Sequence, residues 1–274
     1  MRIRIILDKI LTLISTMFAL LGIFILFWIL KDVIVNGLKS INLEFFLEDP
    51  RPPGIEGGGL RNAIFGSLII TIIAVIIAFP IGILSATYIN EYSRSSKLSN
   101  FVRFIYDVML SSPSIVIGAY VYALFVKPFK TFSAISGSLA LSIIMIPIIL
   151  KTLDELFKLV PNFTKEAAYA LGAQKWRVTV YIIWPYVRTG ILTSILLSFA
   201  RIVGETAPLL FTSFNNMFFE LNLFKPMATL TVNIFNFAMS PYENWHKLAW
   251  SASFLIVVFV LVVNLLSRFL VKEP

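Results

Sequence analysis

Residues 200–210 read ARIVGETAPLL and contain the only two charged residues of a long apolar segment. Arg201 and Glu205 are four residues apart, so on a continuous helix their side chains would share one face. Pro208 lacks an N–H group, and we therefore expect the helix to kink or break at this point. Charges and a broken helix inside an apolar membrane segment are costly, and they indicate a functional site.

The composition of the whole chain indicates a membrane protein. Of its 274 residues, 58% are hydrophobic and 14% are charged, whereas a soluble domain carries about 25% charged residues. The chain has no cysteine and a single histidine, His246, so disulfides and thiolate metal sites are excluded. With no intramembrane pair of acidic residues and no Ser/His set, we expect no enzymatic activity. The net charge is +8, and the basic residues lie between the apolar segments. This distribution is typical of residues that set the orientation of membrane helices, not of a nucleic-acid-binding surface.

Six segments are long and apolar enough to cross a membrane, which takes about 20 residues. They are residues 10–30, 62–90, 108–126, 131–150, 189–212 and 248–267. The first is too long for the apolar part of a signal peptide. Pro80 and Gly82 are expected to kink the second. Residues 226–242 predict a short helix or re-entrant segment at the outer interface rather than a seventh span. The expected fold is therefore an all-α, polytopic membrane protein with six transmembrane helices.

The distribution of Lys and Arg predicts the orientation of these spans. One set of flanking segments holds 14 of these residues and the other holds 8, and Arg201 completes the total of 23. The richer set comprises residues 1–9, 91–107, 151–188 and 268–274. Because basic residues are retained on the cytoplasmic side, we expect this set, and both termini, to be cytoplasmic.

The outer loop, residues 31–61, contains Gly57, Gly58 and Gly59 shortly before the second span. A glycine-rich turn that leads into a helix N-terminus can bind an anion through its N–H groups. A flexible hinge explains the same residues, because a short glycine run is a weak signal. Both interpretations stay open at this point.

Residues 151–188 form the largest loop that we expect in the cytoplasm, and their sequence predicts two short helices. The first covers residues 163–171 and ends at Gly172, a residue type that commonly terminates helices. The second covers residues 174–184, and Pro185 lies close to the start of the next membrane helix. The loop is rich in large apolar residues, which a water-facing loop does not expose without a partner. We therefore expect it to dock into a groove on another protein, although an ordinary helical hairpin on the membrane surface is an alternative.

This loop also reproduces a known motif. The spacing EAA-x3-G-x9-I-x-L-P is matched at Glu166, Ala167, Ala168, Gly172, Ile182 and Pro185. Trp184 departs from the motif by standing in place of Leu, and both residues are apolar. The loop thus resembles the coupling-helix segment of the permease subunits of ABC importers.

Three other stretches narrow the resemblance to the PstA-type permeases of phosphate ABC importers. These are PSIVIG at residues 113–118, MIPII at residues 145–149 and, above all, ARIVGETAPLLFT at residues 200–212. PstC-type permeases are similar around Arg-x-x-Gly-Glu-Thr but do not usually continue with Ala-Pro-Leu-Leu. The resemblance covers roughly residues 57–268. We accordingly divide the chain into residues 1–60, the first helix and outer loop, and residues 61–270, the permease core.

The resemblance implies a type I, MetI-like importer permease in the cytoplasmic membrane of a prokaryote. Its partners would be a second permease of the PstC type, two cytoplasmic ATPase subunits and an external phosphate-binding protein. The chain has no G-x-x-x-x-G-K-[ST] motif, so ATP and Mg²⁺ would belong to the ATPase and this chain would bind no cofactor. ATPase coupling would rest on Glu166, Ala167, Ala168, Gly172, Trp176 and Pro185.

The substrate path is expected at Arg201, Glu205, Thr206 and Pro208. The planar guanidinium of Arg201 suits phosphate because it can donate paired hydrogen bonds, and Glu205 would neutralise it when no anion is present. At 1.5 Å per residue, Arg201 lies ~18 Å from residue 189, near the middle of the membrane. The alternative is a structural ion pair at the subunit interface.

Three other functions compete with this hypothesis. A permease for sulfate or molybdate would have the same architecture. A membrane-embedded hydrolase lacks the residues it would need, and a stand-alone channel would leave the EAA loop without a role. Near the predicted third span, Arg103 and Asp107 have helical i,i+4 spacing and are expected to anchor the helix end.

Overall fold

The computed structural model describes residues 2–93 and 96–271, and every regular element in these ranges is a helix. The α-helices are α1 Arg2–Gly37, α2 Leu43–Leu47, α3 Arg61–Thr87, α4 Lys97–Ser111, α5 Ser114–Val121, α6 Lys127–Phe129, α7 Ala134–Lys158, α8 Asn162–Ala170, α9 Lys175–Val178, α10 Trp184–Tyr186, α11 Arg188–Val203, α12 Ala207–Thr212, α13 Leu230–Ala238 and α14 Glu243–Val271. A short 3₁₀ helix covers Leu38–Ser40, and π-helical turns cover Tyr88–Tyr92, Tyr122–Val126 and Thr179–Ile183.

Four helices of the described ranges are long and apolar enough to cross a membrane, at Leu7–Ser40, Arg61–Tyr92, Ala134–Lys158 and Glu243–Phe269. Two further segments are helix pairs bent at a short break, Lys97–Ser111 with Ser114–Phe129 and Lys175–Tyr186 with Arg188–Val203. The bends are 102° and 70°. If each bent pair is one span, the number of membrane segments is the six expected from the sequence.

The third span differs from the prediction of one segment over residues 108–126. Helix α4 ends at Ser111, and α5 begins at Ser114 after the 102° bend. Pro113 is the cause, because a proline disfavours helical backbone in the residue before it. Ser112 accordingly adopts an extended conformation, with ψ 136°. Residues 108–111 therefore belong to a helix that runs in a different direction from the span.

The fourth span also differs, since α7 continues to Lys158 and not only to residue 150. Its last two turns carry polar residues that a membrane core would not accept. Residues of α4 stabilise these polar side chains of α7. The most buried of the α7 side chains is Asp154. The connecting loop thus begins at residue 159 and not at 151.

The break predicted at residues 200–210 is confirmed. Helix α11 ends at Val203, and α12 begins at Ala207 with Pro208 in its first turn. A proline is tolerated there because the first N–H groups of a helix have no intrahelical partner. By contrast, α3 runs without a break through Pro80 and Gly82.

Helices α3 and α7 pack against each other in the centre of the molecule. Small residues of α3 allow the close approach, and a Cβ atom on Gly82 would lie 2.7 Å from Cγ2 of Ile149. The main apolar core extends from this pair to α8 and to residues 178–187. The loop that carries the EAA motif is therefore part of the core at one end of α3, which we call the coupling end.

The opposite end of α3 is covered by α2, α13 and the start of α14, and we call it the α13 end. Phe45 of α2 is fully buried there, in a second apolar cluster with Leu230, Phe237 and Leu248. Helix α13 lies within residues 226–242 and packs on α3 and α14. The prediction of a short helix in this segment, and not a further span, is confirmed.

Candidate functional site

The two charges of the broken helix do not form the ion pair that the sequence suggested. Arg201 lies in the last turn of α11 and is exposed, whereas Glu205 is half-buried in the connection to α12. Of the ion pairs formed by the described residues, none joins them. The reason is that the helix ends at Val203, so residue 205 no longer shares a helical face with residue 201.

The side chains of the break nevertheless line a common cavity. Arg201 and Glu205 border a space of ≈ 90 Å³ together with Ser112 and Ser114 from the bend between α4 and α5. Its remaining walls are apolar and include Ile144 and Ile148 of α7. The bend and the break, each caused by a proline, thus meet at one site that offers a guanidinium, a carboxylate and two hydroxyl groups.

Close contact between α5 and α12 brings the two proline motifs together. Pro208 is buried, and a Cβ atom on Gly118 would lie 2.6 Å from its Cα atom. Only glycine at position 118 permits this approach. The carbonyl group of Thr206 accepts the N–H groups of Leu209 and Leu210 and so begins α12.

The open backbone at the break is held from α13. The hydroxyl group of Thr231 donates to the carbonyl oxygen of Glu205 at 2.9 Å. Ser111 and Ser112 have a comparable role at the other bend, where both donate to the carbonyl of Val108, at 2.8 and 2.9 Å. These bonds satisfy carbonyl groups whose i+4 N–H donors bind elsewhere at the two breaks.

The glycine predicted to end the first coupling helix does so. Gly172 has φ +81°, a left-handed conformation that favours glycine. Its N–H group donates to the carbonyl of Tyr169 at 2.9 Å, and Ala173 donates to Ala168 at 3.1 Å. This pair of bonds is the Schellman motif that terminates many helices. Burial and the neighbouring Glu91 raise the pKa of the Tyr169 hydroxyl.

The second coupling helix differs from the single helix predicted over residues 174–184. It is divided into α9, the π turn Thr179–Ile183 and α10, and Pro185 lies in the first turn of α10. Of the EAA residues, Glu166 and Ala167 are exposed and Ala168 is buried. Large apolar side chains remain exposed around them, with Leu171 at 90% and Trp176 at 48%.

The sequence did not single out the buried carboxylate of Asp154, which is 0% exposed. Arg103 donates to it through two nitrogen atoms at 3.0 and 3.2 Å, and Lys158 lies at 2.6 Å. Tyr106 and Asn90 complete its hydrogen bonds. The i,i+4 spacing of Asp154 and Lys158 was the available signal.

Despite their i,i+4 spacing, Arg103 and Asp107 do not pair with each other but bind α7 separately. Asp107 instead pairs with Lys151 of α7 at 2.9 Å, while Arg103 pairs with Asp154. Both residues therefore tie α4 to α7, because α4 lies alongside the polar end of that helix.

The glycine run is ordered by the protein's own groups. Gly57 and Gly58 have φ +83° and +85°, and the N–H group of Gly58 donates to the Glu44 carboxylate at 2.8 Å. Gly59 donates to a backbone carbonyl, that of Asp49. The N–H groups of Gly58 and Gly59 therefore bind groups of the protein itself. The bond from Gly58 lowers the pKa of Glu44.

Comparisons with known proteins give consistent results. The family model described as "Binding-protein-dependent transport system inner membrane component" matches residues 78–273. The phosphate transport system permease protein PstA of Pasteurella multocida is 46% identical over 95% of this chain and 93% of its own length. PstA of Yersinia pestis is 46% identical over 91% and 84% of the two chains. The probable PstA of Methanocaldococcus jannaschii is 32% identical over 99% and 96%.

Solved structures show the same fold at low sequence identity. A chain of the inward-facing MetNI methionine ABC transporter superposes with a TM-score of 0.64, at 16% identity, over 77% of this chain and 94% of that one. A chain of an amino acid ABC transporter gives a TM-score of 0.55, at 18% identity, over 77% and 92%. At these identities the likeness concerns the fold alone.

Proposed function

Since the chain belongs to the family of inner-membrane components of binding-protein-dependent transport systems, we propose that it is the PstA-type permease of an ATP-driven importer of inorganic phosphate. The observation that carries this proposal is its 46% identity to a PstA protein over nearly the whole length of both chains. The chain is a transport subunit and not an enzyme. Chains of ABC importers share its fold.

The proposed complex contains this chain, a second permease of the PstC type, two cytoplasmic ATPase subunits and an external phosphate-binding protein. In this arrangement ATP and Mg²⁺ bind to the ATPase subunits. Both termini and the coupling end face the cytoplasm, and the α13 end faces the binding protein. The excess of Lys and Arg in the segments on the coupling side supports this orientation.

The coupling loop receives the motion of the ATPase subunits. Its proposed contact residues are Glu166, Ala167, Ala168, Gly172, Trp176 and Pro185. In support, Leu171 and Trp176 are exposed apolar groups at the free end of the loop, as expected of a surface that docks into a groove. The small residues at 167 and 168 allow a partner to approach closely on one side and the core on the other.

The substrate path runs along the cavity at the broken helix and is formed by Arg201, Glu205, Thr206 and Pro208. Arg201 is charged, exposed and without an ion-pair partner among the described residues, and such a group in a membrane segment is costly without a ligand. Phosphate would meet its guanidinium group when alternating access opens the path. Glu205 on the same cavity keeps binding weak enough for release.

Replacing Arg201 tests the path in a complex reconstituted with its partners. Phosphate-loaded binding protein should stimulate ATP hydrolysis by the wild-type complex, and sulfate-loaded protein should not. Arg201→Gln should lower phosphate uptake by about ten- to a hundredfold, because the loss of a hydrogen bond to a charged group costs about 1.5–3 kcal/mol. Assembly of the complex should be preserved.

Arg268→Gln is the matched control, since Arg268 is exposed at the far end of α14, and it should transport phosphate like the wild type. Wild-type uptake by Arg201→Gln would refute the role of Arg201 in the path. Failure of that variant to assemble would instead support an ion pair with the partner permease. Stimulation by sulfate but not phosphate would favour the alternative oxyanion.

A further inference from the structure

A π-helical turn ends α3 at the coupling end. It covers Tyr88–Tyr92, where each backbone bond spans five residues instead of four. Such turns are rare and occur frequently at functional sites. Because the turn changes the rotation of successive residues, the side chains from Thr87 to Tyr92 reach several different elements. This short segment is the part of α3 that meets the coupling loop.

The three α-helices of the coupling loop, α8, α9 and α10, each make a polar or cationic contact with this segment. From α8, Lys165 forms an ion pair with Glu91 at 2.5 Å. From α9, the ammonium group of Lys175 lies 4.9 Å from the centre of the Tyr92 ring. From α10, the indole N–H of Trp184 donates to the Thr87 hydroxyl at 3.1 Å. The loop is therefore attached to the end of α3 along its whole length.

The ion pair between Lys165 and Glu91 is buried. The side chains of Lys165 and Glu91 are 11% and 6% exposed. Separating buried charges leaves each without a counter-ion in a medium of low polarity, which is strongly unfavourable. The apolar core reinforces the contact, since Ala168 of α8 belongs to the same cluster as Ile83 and Ala86 of α3. The loop and the end of α3 must consequently move together.

The same turn connects α3 to α7. The side-chain amide of Asn90 donates to the buried carboxylate of Asp154 at 2.8 Å. Farther along α7, Ile144 and Ile148 line the cavity that holds Arg201. Between the loop and α11, in contrast, the chain bends by 70° at residue 187. A displacement of the loop thus has a rigid route to the cavity wall through α7.

We propose that the buried ion pair between Glu91 and Lys165 is the link that carries motion of the coupling loop into α3 and, through Asn90 and Asp154, into α7. The link rests on the proposed function of the loop as the receiver of ATPase motion. Lys165 and Glu91 are positioning residues, which touch neither the transported anion nor ATP. Helix α11 is joined covalently to the loop, but in this proposal it moves as a result of the movement of α3 and α7.

A cysteine reporter tests this link, since the chain contains no cysteine of its own. Ser114→Cys places one thiol on the cavity, and its modification by an aqueous reagent is measured in the full complex with and without ATP. ATP should change the modification rate in the otherwise unaltered complex. Glu91→Gln and Lys165→Met should each reduce that change about tenfold, within the range of measured couplings between distant sites. The swapped pair, Glu91→Lys with Lys165→Glu, should restore it.

Lys151→Met is the matched control, because the pair of Lys151 with Asp107 is exposed, and it should respond to ATP like the unaltered complex. Normal responses in both single variants would overturn the proposal. An assembled but unresponsive swapped pair would overturn it too, even if the single variants fail to assemble. The readout needs ATP but no particular anion, so a complex that transports another oxyanion still tests the link. Failure of the proposed function appears separately, as loss of phosphate-dependent stimulation in the wild type.

Discussion

At the scale of single residues, the environment of Asp154 explains how a membrane helix ends in a polar cluster. Arg103 and Lys158 bring positive charge to a carboxylate with no exposed surface. A buried carboxylate is tolerated only when it is paired and fully hydrogen-bonded. Tyr106 and Asn90 provide the remaining donors. The cluster thus fixes α4 and the end of α3 onto α7 at a single point.

Removing the charge of Asp154 is expected to destabilise the protein. Asp154→Asn keeps the size of the side chain but leaves two cations against a neutral group. Breaking a buried pair in this way costs about 3–5 kcal/mol. The free energy of unfolding of the purified protein, measured by denaturant titration in detergent micelles, checks this value.

Asp107→Asn provides the comparison, because its pair with Lys151 is more than 40% exposed on both sides. Exposed pairs contribute about 0–1 kcal/mol. Equal losses of stability in Asp154→Asn and Asp107→Asn would contradict the special role of the buried cluster.

At the scale of elements, the four prolines inside the spans predicted from the sequence have different outcomes. Pro113 and Pro208 stand at breaks, whereas Pro80 and Pro147 lie inside continuous helices. The local steric effect of proline is the same in each case. Packing makes the difference, since α3 and α7 are held against each other along their length. The breaks occur where serine hydroxyl groups or α13 bond the freed carbonyl groups.

The loop between α1 and α3 is ordered by contacts among its own polar groups. Arg51 lies between Glu44 and Glu48 at 2.7 and 3.0 Å, and it also donates to the carbonyl of Glu56. Asn42 caps α2 by accepting the N–H of Phe45. Pro and Gly dominate residues 50–54, a composition typical of an extended, turn-rich loop. In the structure, the ion pairs of Glu44 and Glu48 with Arg51 instead fold the loop around this arginine.

This loop should loosen at acid pH. The N–H of Gly58 lowers the pKa of Glu44 below its ordinary value of 4.5, with Arg51 adding to the effect. Because the pKa is lower in the folded state, the bond contributes stability above about pH 4.5 and loses it as the pH falls through the lowered value. Cleavage of residues 41–60 by an acid protease should therefore accelerate below that pH.

In Glu44→Gln the loop should be cleaved faster near neutral pH, and its cleavage should depend less on pH. Glu220, in the neighbouring loop, has a pKa lowered by the N–H of Asn222 and titrates in the same direction. An unchanged pH profile in Glu44→Gln would assign the effect to Glu220 or another group and contradict the prediction for Glu44.

At the scale of the whole molecule, α1 is set apart from the other membrane helices. Its apolar residues from Leu7 to Ile29 are exposed, and it joins the body only near its end. There the hydroxyl group of Ser251 donates to the carbonyl of Gly37 at 2.8 Å. Lipid tails are as apolar as leucine, so an unpacked membrane helix incurs no hydrophobic penalty. The fold of the other helices does not depend on burying α1.

The orientation of the molecule can be tested with single cysteines. In intact cells an impermeant thiol reagent should modify Glu56→Cys, which lies at the α13 end. Asn100→Cys, near the coupling end, should react only after the membrane is opened. Both side chains are exposed, so a difference in labelling reports their side of the membrane. Labelling of Asn100→Cys in intact cells would contradict cytoplasmic termini.

Local physical rules in the sequence determined the class of the protein. Long apolar segments predicted the membrane helices, and the helix end at Gly172 and the break before Pro208 followed from the residues themselves. These features depend on hydrophobicity and on backbone limits within a few residues. They could be predicted because each is decided before the chain packs.

Only the tertiary structure decided which charges pair, and that Pro80 and Pro147 leave their helices continuous. Arg103 binds Asp154 over 51 residues of chain, and Lys165 binds Glu91 over 74, while Arg201 is left without Glu205. The physical reason is that the energy of a charge depends on what surrounds it. That environment is created when α3, α7 and the coupling loop pack together, and no local pattern specifies it.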